Sequence, residues 1–253
     1  MNTLGVRTLL TKEVRRFMRV PGQTVLSPII TTTLYFVVFG YSLGARVSDV
    51  GGIPYVQYIV PGLVFLGIAN NSFLNSSSSL FIHKIQGTVV DLLVAPLGAG
   101  ELLLGFVLGA MVRGLIVGVC TWLVAIAFTG FHLVSPLLLA VLLLLQAWAF
   151  AVLGLLAALW AEKFEQINFF PNFVMLPLTF LGGVFYSVAK LPAPWRQISS
   201  FNPLVYMVDG TRYAMLGVSD FPPSIGPLTL CAIASGATLL AWFLLRRGYK
   251  LKS

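Results

Sequence analysis

Residues 84–101, KIQGTVVDLLVAPLGAGE, form a compact polar break between two long apolar runs. Thr88 is placed to cap a short helix whose third residue, Asp91, would sit near the positive end of the helix dipole. Pro96 and Gly98 then end the helix after about two turns. Because so short a helix is unstable alone in water, either a partner protein or the membrane surface must hold it. The alternative is a capped turn between two membrane spans. The side chains to be held are Val89, Leu92 and Leu93.

The composition around this break is that of a membrane protein. Of 253 residues, 58% are hydrophobic and 9% are charged, whereas soluble globular domains carry about 25% charged residues. A helix needs ~20 apolar residues to cross ~30 Å of hydrocarbon. Such runs predict an all-α integral membrane protein with six transmembrane helices in one domain, residues 1–253. The predicted spans are residues 25–44, 58–80, 102–128, 137–160, 168–186 and 228–245.

The distribution of positive charge predicts which ends of the spans share a side. Eleven of the sixteen lysines and arginines fall before the first span, after the last span, and in the loops of Lys84 and Lys163. The positive-inside rule therefore places both termini and residues 84–101 in the cytoplasm. The formal net charge of +8 is not spread as a phosphate-tracking patch, so nucleic acid is not an expected partner. The cationic ends contain Arg7, Lys12, Arg15, Arg16, Arg19, Arg246, Arg247, Lys250 and Lys252, and the opposite side Arg46, Lys190, Arg196 and Arg212.

Residues 4–19 have the spacing of an amphipathic helix. Val6, Leu10, Val14 and Phe17 recur at helical intervals, and the basic residues take the other faces. We expect this helix to lie on the inner leaflet, anchored to anionic lipid. Contact with a cytoplasmic partner is the alternative.

Two of the spans are unexpectedly polar. The second contains three asparagines followed by Ser76, Ser77, Ser78 and Ser79, which indicates either a transport pathway or interhelical hydrogen bonding. The fifth combines amides, aromatic rings and two prolines that predict breaks in the helix. The candidate pathway residues are Asn70, Asn71, Asn75, Asn168, Asn172 and Phe173.

The remaining spans have one feature of note, Arg113 in the third. An intramembrane arginine is a candidate functional residue, although a side chain that snorkels to lipid headgroups is the favoured interpretation. The fourth span is nearly featureless, and we expect it to face lipid along much of its length.

Residues 190–217 predict an outer re-entrant segment. Residues 194–201 and 203–216 are compatible with helices too short to cross a membrane, and each begins on a proline, at Pro194 and Pro203. Aromatic side chains including Trp195 suit the headgroup layer, and Asp209 can meet Arg212 one turn later.

Sequence motifs for catalysis are missing. The chain contains no GxxxxGK[ST] phosphate loop, and none of its six lysines follows a glycine. It has no nucleophile triad, carboxylate pair or metal-ligand cluster, and His83 and His132 are predicted on opposite sides of the membrane. We expect neither an enzyme nor a metal site.

The motifs of the last third resemble those of the type-2 ABC exporter permease family, especially its bacterial inner-membrane subgroup of nodulation and drug-efflux permeases. The likeness extends over nearly the whole chain, through Ile59-Val60-Pro61-Gly62 and Leu92-Leu93-Val94-Ala95-Pro96. The most specific matches are Gly182-Gly183-Val184-Phe185-Tyr186, Pro194-Trp195, Asn202-Pro203-Leu204-Val205-Tyr206, Asp209-Gly210 and Arg212-Tyr213.

The resemblance implies a six-span half-transporter in the inner membrane that pairs with a second copy of itself. It implies a separate ATPase, which would hold ATP and magnesium and drive export of a lipid-like, glycan-linked or drug-like substrate. An ion-gradient-driven secondary transporter and a non-transporting scaffold are the alternatives. The residues implied in coupling to the ATPase are Thr88, Asp91, Leu92, Leu93, Val94 and Ala95, with Arg15 and Arg16 of the N-terminal helix.

Overall fold

The computed structural model describes residues 2–43, 49–130 and 133–251. The expectations for Gly44, Arg46, His132 and Lys252 lie outside these residues. Helix α1 is Thr3–Met18, and α2 is Ser27–Tyr35 continued by π-helical turns at Gly22–Leu26 and Phe36–Leu43. Strands β1, Asp49–Val50, and β2, Ile53–Pro54, form a two-stranded antiparallel hairpin. The helices that follow are α3 Tyr55–Ile85, α4 Val89–Val94, α5 Ala99–Thr129 and α6 Pro136–Trp160.

The last third is built of shorter pieces. Helix α7 runs through Phe164–Phe169, a π-helical segment Phe170–Met175, and Leu176–Phe180. A 3₁₀ turn, Val188–Lys190, leads to the predicted short helices, α8 Ala193–Ser200 and α9 Pro203–Leu216. Helix α10, Ile225–Arg246, completes the fold.

The expectation of an all-α membrane protein is confirmed. Within the described ranges, five helices are long and apolar enough to cross a membrane: Gly22–Phe39, Tyr55–Ile85, Ala99–Thr129, Pro136–Trp160 and Ile225–Arg246. The predicted fifth span corresponds to α7, which ends at Phe180 before Gly182 and Gly183. At ~1.5 Å per residue α7 is about 25 Å long, near the lower limit for a span. Its π-helical segment contains Pro171, in keeping with the predicted break.

Helix α3 is the centre of the bundle and packs between α5 and α6. The approach is close because glycines face it: Gly114 lies against Ser72, and Gly154 lies against Ser76 and the Phe73 carbonyl. Ser76 Oγ donates a hydrogen bond of 2.6 Å to the Ala151 carbonyl oxygen. Ser76, Ser77 and Ser79 are buried, and the bond made by Ser76 is of the interhelical kind that the sequence offered as one interpretation.

Helix α6, the predicted fourth span, faces the surroundings of the chain on one side, but about half of its residues are buried in the bundle. Its contact with α3 buries one side, including Gln146. The Gln146 amide donates a hydrogen bond of 2.6 Å to the Phe65 carbonyl oxygen of α3. The sequence did not indicate which side is buried, because the run of leucines makes both faces of the helix apolar.

Helix α1 forms as predicted, but it packs on α5. Gly105 of α5 lies against Leu9, and Gly109 lies against Glu13. The buried stripe is therefore Leu9, Glu13 and Phe17, and the predicted Val6, Leu10 and Val14 flank it half-buried.

The two ends of the bundle contain different elements of the chain. At one end, here called the α4 end, the Lys84 ammonium contacts the Ala161 carbonyl oxygen at 2.8 Å and Lys250 pairs with Glu162 at 2.5 Å. This end holds both ends of the described chain, α4 and the α6–α7 turn. The opposite hairpin end holds β1–β2, α8 and α9. The predicted grouping of loops thus matches the arrangement of the bundle.

Candidate functional site

Helix α4 begins after a left-handed residue, Gly87, with φ of 70°. Thr88 occupies the N-cap position, but its side chain makes no capping hydrogen bond. The capping expectation is wrong because the Thr88 hydroxyl contacts His83 Nδ1 at 2.7 Å instead. Lys12 Nζ lies 3.1 Å from His83 Nε2. Since an ammonium only donates, Nε2 is the acceptor and Nδ1 carries the proton donated to Thr88. Lys12, His83 and Thr88 therefore tie α1, α3 and α4 together.

The exposed side of α4 is not the one that apolar spacing suggested. Val89 is only 6% exposed, and Leu92 and Leu93 are half-buried against the core of the chain. Val90 is 56% exposed and Val94 is 80% exposed, and Asp91 lies exposed with them. We call Val90, Asp91 and Val94 the α4 face.

The segment after α4 is fixed to the start of α1. Asn2 Nδ2 donates a hydrogen bond of 3.1 Å to the Pro96 carbonyl oxygen. The Glu101 carboxylate accepts hydrogen bonds from the backbone amides of Asn2 and Gly98. An apolar groove of about 310 Å³ remains between the two segments, lined by residues that include Leu4, Thr8, Leu92 and Ala95. Residues 84–101 and the start of α1 thus form one unit at the α4 end.

The two arginines assigned to this end point in different directions. Arg15 is exposed and lies on a basic surface of α1 beside a groove of about 610 Å³, with Arg7, Lys12 and Arg19. Arg16 lines the same groove, but its guanidinium turns toward the bundle and donates to the Asn75 side-chain and backbone oxygens, each at 3.1 Å. Of these two arginines, Arg15 is therefore the one whose side chain is exposed to a partner on this surface.

Glu13 was missed by the sequence reasoning. Its side chain is fully buried, and its carboxylate pairs with Arg16 at 3.0 Å. Arg113 NH1 reaches Asn75 Oδ1 at 3.5 Å, so α1, α3 and α5 share one polar cluster of Glu13, Arg16, Asn75 and Arg113. The signal was available, because Glu13 stands between Leu9 and Phe17 on a single helical stripe.

Two of the six candidate pathway residues line a cleft next to this cluster. The cleft, about 310 Å³, is bounded by α2, α3, α5 and α7 and is lined by Asn70, Asn71 and Arg113 among others. Asn75 belongs to the buried cluster.

The α7 candidates lie elsewhere. Asn172 is exposed and donates to the Asn168 carbonyl oxygen at 3.0 Å. Phe173, 70% exposed, stacks on Phe169 with ring centroids 5.2 Å apart. The structure therefore does not gather the predicted pathway residues in one cavity of a single chain.

The outer motif forms a buried network at the hairpin end. The predicted pair is present, with Asp209 and Arg212 3.4 Å apart. The Arg212 guanidinium lies 4.1 Å over the ring of Tyr58, and Asp209 accepts from the backbone amides of Asp220 at 2.9 Å and Phe221 at 3.0 Å. The Asp220 carboxylate in turn accepts from the Ser187 hydroxyl at 2.8 Å. These bonds join α9, the loop before α10, and the loop after α7.

The other residues of the motif shape the helices around this network. The Asn202 side chain accepts from the Leu204 amide and caps α9, with Pro203 in its first turn. Pro194 lies in the first turn of α8, and the Tyr206 hydroxyl donates to the Ser200 carbonyl oxygen at 2.7 Å. Trp195 is 54% exposed. The motif is thus mainly architectural, with one aromatic ring left at the surface.

No group of three or more His, Cys, Asp or Glu residues capable of holding a metal ion occurs within residues 2–43, 49–130 and 133–251. In the same ranges the ion pairs are Glu13–Arg16, Asp209–Arg212 and Glu162–Lys250. Hydrogen bonding to Lys250 holds the pKa of the exposed Glu162 carboxyl below its ordinary value. Each pair joins or orders helices.

Comparison with known proteins adds the family. A sequence profile of the ABC-2 type transporter family matches residues 5–216. The chain is 40% identical over 252 residues to the inner membrane transport permease YadH of Escherichia coli K12, covering 99% of this chain and 98% of that protein. It is 28% identical over 210 residues to nodulation protein J of Sinorhizobium fredii, covering 82% and 80% of the two chains. It is 25% identical over 225 residues to nodulation protein J of Rhizobium meliloti, covering 88% and 86%.

Proposed function

The chain belongs to the ABC-2 type transporter family, and from that premise we propose that it is the membrane half of an exporter driven by a separate ATPase. As a multi-pass inner-membrane permease it forms the route through the bilayer. ATP and magnesium would be bound by the partner, since this chain has no phosphate loop. The cargo would be lipid-like, glycan-linked or drug-like.

The observation that carries the proposal is the α4 face. Val90 and Val94 are 56% and 80% exposed on a six-residue helix beyond the end of a span. Clustered exposed apolar side chains indicate a binding surface. With the α4 end in the cytoplasm, an ATPase would cover this face, and Arg15 on the neighbouring basic surface would meet acidic groups of the same partner.

The contacts of α4 supply a path for movement into the bundle. A partner that displaced α4 would also displace α1, because the Lys12–His83–Thr88 contacts and the bond between Asn2 and Pro96 connect the two helices. Helix α1 is joined to α3 and α5 by the Glu13, Arg16, Asn75 and Arg113 cluster. A rigid-body shift of α1 and α4 would therefore move the helices that line the cleft.

A second copy of the chain would cover the exposed apolar faces of α2 and α7. Ile30 and Leu34 of α2 are 51% and 57% exposed, and Phe169 and Phe173 of α7 are 48% and 70% exposed. Pairing of these faces would also bring Asn172 and Phe173, which line no common cavity with Asn70 in one chain, to the interface between copies. We therefore propose a homodimer.

The test uses the full chain co-expressed with an ABC ATPase that co-purifies with the wild-type chain. The double variant Val90→Asp/Val94→Asp should insert normally but lose co-purification of the ATPase, because two charges disrupt an apolar contact. The matched control is Val134→Asp, a substitution of a 58%-exposed valine near the hairpin end. These positions are preferable to Leu92 and Leu93, whose contacts with the core would confuse loss of binding with loss of folding. Unchanged co-purification by the double variant would contradict the proposal.

The buried Glu13 favours one other function. A carboxylate that is 0% exposed is a feature of carriers driven by ion gradients. Vesicles that contain this chain alone separate the two functions. A secondary carrier would transport under a proton or sodium gradient without ATPase, whereas the proposed exporter would require both subunits and ATP. Absence of transport under either condition would indicate a scaffold.

A further inference from the structure

Arg113 carries a positive charge in the middle of the bundle, and no carboxylate in the described part of the chain pairs with it. It is the fifteenth of the 31 residues of α5. The three ion pairs within the described ranges of the chain do not include it. Among the residues that the structure describes, the hydrogen-bond partner of its side chain is an amide oxygen of Asn75, at 3.5 Å. A guanidinium cannot lose its proton to relieve the cost of such a position, so the charge persists.

The nearest charges do not cancel it. The Glu13 carboxylate pairs with Arg16 at 3.0 Å. Arg16 also donates a hydrogen bond of 3.1 Å to Asn75 Oδ1, the oxygen that Arg113 contacts. Two guanidinium groups thus share one neutral oxygen, and the cluster of Glu13, Arg16, Asn75 and Arg113 has a net charge of +1. An anion placed beside Arg113 would balance this charge where the surrounding dielectric constant is low.

The cleft next to Arg113 is lined by both polar and apolar side chains. Its volume of about 310 Å³ is at the lower end of the range for small-molecule sites, roughly 300–1,000 Å³. Its polar lining residues include Asn70, Asn71 and Gln23 with Arg113, and Leu63, Leu66, Val117 and Leu176 supply apolar surface. Leu176 of α7 is 40% exposed and Ile30 of neighbouring α2 is 51% exposed. Two of the four helices that bound the cleft, α2 and α7, therefore also face the surroundings of the chain.

We propose that this cleft binds the headgroup of an anionic amphiphile, with a phosphate or carboxylate on Arg113 and the first carbons of its tail along Leu63, Leu66 and Leu176. The proposal deepens the permease function and rests on it, because the occupant would be either the transported molecule or a lipid of the surrounding bilayer. Neutral drugs and uncharged glycolipids would not gain the interaction with Arg113.

The test measures binding to the purified permease alone, so that its outcome is independent of any ATPase. The probes are dodecyl phosphate and dodecanol, which share one tail and differ in charge. In a neutral detergent, the wild-type chain should bind dodecyl phosphate more tightly than dodecanol. Arg113→Gln should weaken dodecyl phosphate binding about tenfold or more, the effect of removing a hydrogen-bonded ionic contact, and should leave dodecanol binding unchanged.

Two variants serve as controls. Arg113→Lys keeps the charge and should retain most of the preference for the phosphate. Arg246→Gln removes an exposed arginine at the far end of α10 and should have no effect. Equal binding of the two probes by the wild-type chain, or an Arg113→Gln variant that still prefers dodecyl phosphate, would overturn the proposal. Neither result would bear on co-purification of the ATPase, which tests the permease function separately.

The two sources of the headgroup are distinguished by two further measurements. Phosphatidylglycerol that displaces dodecyl phosphate without changing ATP hydrolysis by the assembled complex identifies the occupant as bilayer lipid. Stimulation of ATP hydrolysis by dodecyl phosphate in wild-type complexes, absent in Arg113→Gln complexes, identifies the site as part of the transport route.

Discussion

The Lys84 ammonium lies 2.8 Å from the carbonyl oxygen of Ala161, where α6 ends. It also donates to the carbonyl oxygens of Ala158 at 3.0 Å and Leu159 at 3.2 Å. The last carbonyls of a helix have no partner within the helix and carry the negative end of its dipole. A lysine near the end of α3 therefore closes the end of α6. This contact gives a structural role to a residue that the charge distribution marked only as a topology signal.

Replacing Lys84 by methionine should destabilise the bundle by about 1–3 kcal/mol, because three carbonyl oxygens lose a charged donor. Reversible unfolding in mixed micelles, followed by circular dichroism, measures the change. Lys190→Met, at an exposed lysine near the hairpin end, should change the free energy of unfolding by less than about 0.5 kcal/mol. Equal effects of the two substitutions would mean that the Lys84 contacts contribute nothing to stability.

The contact of α3 with α6 leads to a prediction about glycine. A Cβ added at Gly154 would overlap the Phe73 carbonyl oxygen and Ser76 Oγ, whereas a Cβ added at Gly236 of α10 would meet nothing within 4 Å. Gly154→Ala should therefore force the helices apart and cost about 1–3 kcal/mol, the usual effect of overpacking. Gly236→Ala is the matched control and should leave the thermal midpoint in detergent unchanged or slightly higher. A Gly154→Ala variant as stable as the control would show that α3 and α6 pack less closely than described.

How far the sequence predicts this fold depends on whether the deciding residues are neighbours in the chain. Five of the six predicted spans, the break at residues 84–101 and the two short helices that begin near Pro194 and Pro203 follow from local composition and are present in the structure. The predicted fifth span is present as the shorter, interrupted α7. The side on which a helix packs does not follow. Helix α1 buries Glu13 rather than Val14 because Gly105 and Gly109, about a hundred residues later, leave room there.

Individual residues of the candidate site could likewise be predicted from the sequence, but the side on which they pack could not. Asn70, Asn71 and Arg113 could be named from the sequence because a polar side chain in a span is conspicuous, and they share one cleft. The sequence pattern could not show whether Asn168, Asn172 and Phe173 line the same cleft, because that depends on which side of α7 faces the bundle. On α4, apolar spacing indicated Val89, Leu92 and Leu93 as the side chains that a partner would hold. These side chains pack against the bundle of the same chain, and Val90 and Val94 are the exposed ones.

The pair of Glu13 and Arg16 should be energetically coupled. Glu13 is fully buried and the Arg16 side chain is 31% exposed, so removal of either charge leaves the other without its partner. Glu13→Gln and Arg16→Gln should each cost about 2–3 kcal/mol, somewhat less than breaking a fully buried pair. The double variant should cost less than the sum of the two by about 1–2 kcal/mol. Four-way comparison of unfolding in mixed micelles measures this coupling, and strict additivity would mean that the 3.0 Å contact carries no energy of its own.

The orientation of the bundle is tested by single cysteines at its two ends. The native Cys120 and Cys231 are first replaced by alanine, since Cys231 is exposed and would react. Val90→Cys then reports the α4 face, and Val134→Cys reports the hairpin end. A membrane-impermeant thiol reagent added outside spheroplasts should label position 134 and spare position 90, because the positive residues gather at the α4 end and are retained in the cytoplasm. Inverted vesicles should give the opposite pattern. Labelling of position 90 from outside would place the α4 face where no ATP is present. That result would contradict the proposal that a separate ATPase drives the permease.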